Sequence, residues 1–218
     1  MAPRDPQRVP QPDPSPKRVP LIGLIGLIGA GKSTVAGWLA ERGGVIVDAD
    51  RLTRDLMSPG TPVTAAVFAR FGDQFRLPDG SLDRHALGRV VFDDPEELAA
   101  LESIVHPAIN ELLERVVREA GEKGPRGIAI EAVKLVEAGH AANCDEVWLI
   151  TCDADVRLAR LVGRGMVEAD ARQRIEAQAD SLSLWRAAAT RIIETNGPRD
   201  EIEQAVAAAL DEDLARHS

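Results

Sequence analysis

Apolar positions along this chain follow two rhythms. Short, mostly apolar runs lie at residues 21–25, 45–47, 127–131, 146–152 and 191–193. Runs of this length suit strands buried on both faces of a parallel sheet. Between them apolar residues return every three or four positions: Val35, Trp38 and Leu39; Leu52 and Leu56; Val63, Val67 and Phe71; Leu87, Val90 and Val91; Leu98, Leu101, Ile104 and Val105; and finally Ile202, Val206 and Leu210. That spacing lays each set on one face of a helix. Strand runs alternating with helical stretches predict an α/β fold around a parallel sheet.

Punctuation refines the boundaries. Gly43-Gly44 stops the first helix, and Pro59-Gly60 and Pro78-Asp79-Gly80 mark turns. Asp94-Pro95-Glu96-Glu97 is a start signal, with Asp at the cap, Pro in the first helical position and Glu three residues past the cap. His106-Pro107 interrupts a helical region, so a new helix is expected at Pro107 with His106 at the junction. The last helix, after Asn196-Gly197-Pro198, turns acidic and is expected to fray. Residues 1–19 hold Pro3, Pro6, Pro10, Pro12, Pro14 and Pro16 among polar residues, which predicts a disordered, extended tail. A docking peptide is the other reading of that composition.

Composition narrows the class. At 218 residues and 44% hydrophobic content, the chain has enough apolar surface for one domain with an inserted subdomain. A net charge of −9 and a pI near 5.0 argue against a broad nucleic-acid footprint, so any anion must be held by local positive charge. Cys144 and Cys152 are the two cysteines and lack metal-type spacing, which fits a reducing compartment without a disulfide framework or zinc site. Neither a secretory h-region nor a run long enough to span a bilayer is seen, so a cytoplasmic protein with no membrane partner is expected.

The chemistry concentrates in Gly26-Leu27-Ile28-Gly29-Ala30-Gly31-Lys32-Ser33, a GxxxxGK[ST] loop set between a strand run and a helical pattern. Gly29 and Gly31 let the backbone close around an anion, the helix start adds partial positive charge, Lys32 reaches the outer phosphates and Ser33 is placed to ligate Mg²⁺. Asp48 and Asp50 follow the second strand, two residues apart, so in an extended segment both face one side. One reading has Asp48 capping a helix that begins near Arg51 while Asp50 is catalytic. Glu131 ends the third strand, where an acid orienting a water on Mg²⁺ and a plain strand end are both open readings. Arg157, Arg160 and Arg164 fall at helical spacing and are expected on one face, either as a salt-bridged surface or as a lid closing on a triphosphate.

Together these residues resemble the dephospho-coenzyme A kinase family, from about residue 21 to 208. The match rests on the glycine-rich loop through Thr34, Val47-Asp48-Ala49-Asp50, Phe71-Gly72, Asp79 to Arg84 with Leu87, and His106-Pro107. It continues through Leu135-Val136-Glu137, Arg160 with Arg164, Ala171, Arg174, Gln178 and Asn196-Gly197. The resemblance implies a P-loop kinase-like α/β fold with a five-stranded parallel sheet in the order 2-3-1-4-5, flanked by helices. The core would comprise 20–50, 126–154 and 188–218, a helical substrate-binding insertion 51–125, and a helical lid 155–187. It implies transfer of phosphate from ATP, with Mg²⁺, to the ribose 3′-hydroxyl of dephospho-coenzyme A, the small-molecule partner. By resemblance Asp50, Lys32, Arg160 and Arg164 are catalytic. Gly29, Ala30, Gly31, Lys32, Ser33 and Thr34 bind the nucleotide, and Asn196 and Gly197 lie near its adenine. Asp50, His106 and Pro107 meet the acceptor. From the loop motif and the strand end, Ser33 and, through water, Glu131 are the expected metal residues. The chain is expected to be a monomer or weak homo-oligomer. One departure is local: where the family commonly has Pro-Leu-Leu, this chain has Val133-Lys134-Leu135. A kinase for another small acceptor, such as a nucleoside monophosphate or shikimate, and a nucleotide-dependent switch protein are the competing readings.

Overall fold

The computed structural model describes residues 19–217, so the proline-rich tail, apart from Val19, lies outside the described residues. Five strands form one parallel sheet: β1 (Leu21–Gly26), β2 (Val45–Asp48), β3 (Ile128–Glu131), β4 (Glu146–Thr151) and β5 (Arg191–Glu194). Their order is β2-β3-β1-β4-β5, as the resemblance implied. Every position of β4 is buried and four of β1 are, because helices cover both faces. Register sets Asp48 beside Glu131 and Leu24 beside both Glu131 and Trp148, bringing the strands' carboxyl ends to one edge. In open α/β sheets that edge is where ligands bind.

The helices are α1 (Lys32–Glu41), α2 (Ala49–Leu56), α3 (Pro62–Phe71), α4 (Arg84–Asp93), α5 (Pro95–Gly121), α6 (Ala154–Gly163), α7 (Glu168–Glu176), α8 (Ser181–Ala188) and α9 (Arg199–Arg216). The main core joins the sheet to α1, α5 and α9 through Leu24, Leu39, Ile109, Leu113, Trp148 and Leu210. A smaller cluster of Val67, Phe68, Phe71, Phe75, Leu82, Leu87 and Val91 lies under α3, α4 and the start of α5. The residues between β2 and β3 therefore bury apolar surface of their own while α5 ties them to the sheet.

Three expectations change. Pro107 does not begin a helix, since it sits inside the 27-residue α5. Losing one amide donor costs that turn a hydrogen bond, but Val105, Ile109 and Leu113 on either side are buried against the core and hold the helix through it. Val90, predicted inward, is 45% exposed, and α4 buries Leu87 and Val91 instead. The end of α9 does not fray. Asp213 is fully buried and accepts hydrogen bonds from Trp148 Nε1 at 2.9 Å, Arg191 at 3.0 Å and Arg216 at 2.8 Å. Arg216 also pairs with Glu146. A buried carboxylate persists only with such partners, and here they join α9 to β4 and β5.

The start at Asp94 holds as expected: its carboxylate accepts from the Glu96 and Glu97 amides, and Pro95 is the first helical residue. No helix among the described residues is long and apolar enough to cross a membrane.

Candidate active site

The loop between β1 and α1 is built on two left-handed glycines, Gly29 (φ 78°) and Gly31 (φ 95°), a region that costs residues with a Cβ. At Gly29 there is no room either, since a Cβ there would stand 3.0 Å from the Arg157 carbonyl oxygen. Neighbouring elements hold the loop. The Thr195 hydroxyl donates to the Ala30 carbonyl at 2.6 Å, and the Ile28 amide donates to Gln178 Oε1 at 2.6 Å. Arg160 reaches the Gly29 and Ala30 carbonyls at 3.4 Å each while donating to the Thr195 carbonyl at 2.7 Å. The loop is thus held open by hydrogen bonds from Thr195, just past β5, and from the 154–188 segment, ready for an anion.

At the head of α1, Lys32 Nζ is paired with Glu131 Oε1, and the Ser33 hydroxyl lies 3.5 Å from the same oxygen. The carboxylate at the end of β3 thereby faces the loop. A hydroxyl and a carboxylate are hard oxygen donors that suit Mg²⁺ arriving with a nucleotide's phosphates. No cluster of three or more His, Cys, Asp or Glu able to hold a metal occurs among the described residues.

Asp48 and Asp50 do not share an extended segment. The helix α2 begins at Ala49, two residues earlier than expected, because Asp48 already caps it by accepting from the Arg51 amide at 2.8 Å. Asp50 therefore lies in the first helical turn, where its Oδ2 accepts from the Val133 amide at 3.1 Å.

Three cavities meet around these groups. One of about 340 Å³ is lined by Gly29, Gly31, Lys32, Ser33, Val133, Arg164 and Gln178. A second, of about 200 Å³, extends past Gly31, Thr34, Trp38, Arg160, Arg164 and Gly197 to Arg199, whose guanidinium lies 5.4 Å from the Trp38 ring centre. The third, about 240 Å³, is lined by Asp50, Thr53, His106, Ile109, Lys134 and His140. Val133 joins the first to the third, lining one while its amide holds Asp50 of the other.

Several expected residues take different stations. Arg157 is buried and lines none of the three cavities, while Arg160 and Arg164 do. Asn196 turns its side-chain oxygen to the Asp153 amide at 2.8 Å, leaving Gly197 at the cavity wall. Ala30 is fully buried and offers the loop only its backbone. Pro107 is exposed and does not line the third cavity, whereas His106 does. Thr195 and His140 were missed by sequence reasoning, for neither lies in a motif and the topology alone brings them here; Lys134 was noted as a departure from the family's usual sequence, and the structure places it in the third cavity. Burial, with the charge of His106 adding to it, holds the His140 imidazole below its ordinary range.

The family model described as dephospho-CoA kinase matches residues 20–201. This chain belongs to the dephospho-CoA kinase family. A Frankia casuarinae dephospho-CoA kinase is 42% identical over 196 residues, spanning 89% of this chain and 84% of its own. One from Moorella thermoacetica is 41% identical over 199 residues, spanning 90% and 93%. Among solved structures, a Thermus thermophilus protein is similar at a TM-score of 0.73 with 31% identity, covering 90% of this chain and 98% of its own. A dephospho-CoA kinase from Campylobacter jejuni shares the fold at a TM-score of 0.64 with 21% identity, covering 91% and 98%. A P-loop family of kinases accounts for the glycine-rich loop, the sheet order and the acid-lined cavity at once.

Proposed function

We propose that this chain transfers the γ-phosphoryl group of ATP to the ribose 3′-hydroxyl of dephospho-coenzyme A, giving coenzyme A and ADP, the last step of coenzyme A biosynthesis. The observation that carries the reading is the junction at Val133, where the loop's cavity adjoins the one holding Asp50. Phosphoryl transfer needs such adjacency, because most of its catalysis is positioning and charge neutralisation. Asp50 takes the proton of the attacking hydroxyl, whose oxygen bonds to the γ-phosphorus as the bond to ADP breaks. Lys32, released from Glu131 by the stronger field of the phosphates, holds the transferred group.

The two arginines divide the work. Arg160 spends its donors on the loop and Thr195, and so positions the cradle. The Arg164 side chain makes no hydrogen bond or ion pair among the described residues and lines both nucleotide-side cavities, which leaves it to meet charge on the moving phosphoryl group. Gly197, with Trp38 and Arg199, takes the nucleoside end. Mg²⁺, held through Ser33 and Glu131, would supply charge neutralisation between the phosphates. The 155–187 segment acts as the lid that excludes water. A cytoplasmic enzyme, monomeric or weakly self-associating, completes the proposal.

Steady-state ADP formation with and without dephospho-coenzyme A tests it. Acceptor-stimulated release supports the kinase; ATP binding with no stimulation by that acceptor refutes it.

A further inference from the structure

Arg157, on α6, is 8% exposed and has no part in the chemistry above. Its Nε and Nη1 are buried without a hydrogen-bond partner, and the side chain makes no ion pair among the described residues. An isolated buried charge is among the costliest groups a fold can carry, because nothing replaces the water it gave up. The place where this one is kept is specific. A Cβ on Gly29 would stand 3.0 Å from the Arg157 carbonyl oxygen and 3.3 Å from its Cα, so this turn of α6 packs directly against the phosphate loop. At full stretch the side chain carries its charge about 6 Å from that Cα, which keeps it within about 11 Å of Gly29. Arg157 lines none of the three cavities around the loop, so it reaches a bound nucleotide through its field and not by contact.

We infer that Arg157 is a positive charge held beside the loop to raise its affinity for a polyphosphate, at the expense of the stability of the unliganded fold. The inference rests on the nucleotide-binding half of the reading above and not on the identity of the acceptor. Two observations give such a field a task. The chain carries a net charge of −9, which opposes the approach of a polyphosphate. Lys32, the loop's own cation, is paired with Glu131 before a nucleotide arrives. Exposed charges are screened over about 8 Å at physiological ionic strength, whereas buried ones are screened much less. Sealed from water and cancelled by no carboxylate, Arg157 keeps a pull on the loop that a surface arginine would lose. Arg160 meets the loop by hydrogen bonds and Arg164 opens onto its cavity, and both work within the potential that Arg157 sets.

The test is Arg157→Met, which keeps an unbranched stem and removes the charge, with Arg157→Gln as the second neutral variant should the first not fold. Stability and binding should part company. The urea midpoint of the nucleotide-free protein holds or rises, while Kd for ATP, read by calorimetric titration, rises by about tenfold or more. The loss is larger for metal-free ATP than for MgATP, which carries less charge, and it persists at high salt. Arg172→Met removes the same charge from an exposed, ion-paired site on α7 and leaves Kd for ATP within about twofold. An unaltered Kd in a neutral variant, a lowered urea midpoint, or equal losses of affinity at positions 157 and 172 overturns the inference. Wild-type protein that binds ATP yet releases no acceptor-dependent ADP would instead strike the parent reading.

Discussion

The Asp50 carboxylate accepts a hydrogen bond from the Val133 amide at 3.1 Å, at a position where the family resemblance led to the expectation of a proline, which has no amide hydrogen to give. The departure noted in the sequence thus adds a restraint on the carboxylate assigned as the base. Val133→Pro removes that donor without changing any side chain in the acceptor cavity. We expect kcat to fall by up to about tenfold with KM for ATP unchanged, in line with one hydrogen bond to a charged group. Unaltered kcat would make the contact incidental.

Asp50→Asn keeps the size and the Val133 contact but cannot take a proton. Turnover should drop by at least ~10²-fold while ATP binds as before, the range of a general base. A variant turning over near the wild-type rate would remove Asp50 from that role. Calorimetric titration with ATP, run beside the turnover assay, separates the two effects.

Neutralising Glu131 should split binding from chemistry. With Glu131→Gln, Lys32 loses its ion pair and meets the nucleotide unopposed, so ATP without added metal binds more tightly. Turnover with Mg²⁺ falls, because the oxygen that helps place the ion has lost its charge. Weaker metal-free binding in this variant would contradict the arrangement.

The arginines should separate by stability. Arg160→Ala severs bonds to Thr195 and the loop, and we expect a loss of about 1–3 kcal/mol in urea unfolding together with weaker ATP binding. Arg164→Ala, with no such bonds, should unfold like the wild type yet turn over slowly. Equal stability losses in both would erase the distinction.

His140 gives a pH prediction with a definite sign. Its folded value lies below the ordinary 6.5, so the unfolded chain binds the proton more tightly. The neutral ring's contribution is therefore intact above about 6.5 and declines as pH falls below it. His140→Gln should flatten the dependence of the urea midpoint on pH between about 7 and 5. An unchanged slope would show that other groups set it.

What could be read in advance follows from how local each cause is. The strands were legible because burial on both faces leaves an unbroken apolar run, as at Val147-Trp148-Leu149-Ile150. The phosphate loop was legible because Gly29, Gly31 and Lys32 act within one turn of chain. Pro107 misled because its cost is confined to one turn, whereas the burial of Val105, Ile109 and Leu113 that outweighs it depends on the sheet. Asp50 was placed in the right segment but the wrong backbone, since the Asp48 cap pulls the helix start upstream. His140 and Thr195 reach the cavities through topology, and no local pattern announces them.

The indole of Trp148, on a strand interior to the sheet, is capped by a carboxylate that arrives 65 residues later, on α9. A nascent chain that has exposed all five strands still lacks that cap, and its core lacks Val206 and Leu210. The barrier between core and solvent is complete only once α9 has emerged and packed on the sheet, so the last stretch of chain to be made is the one that closes the core.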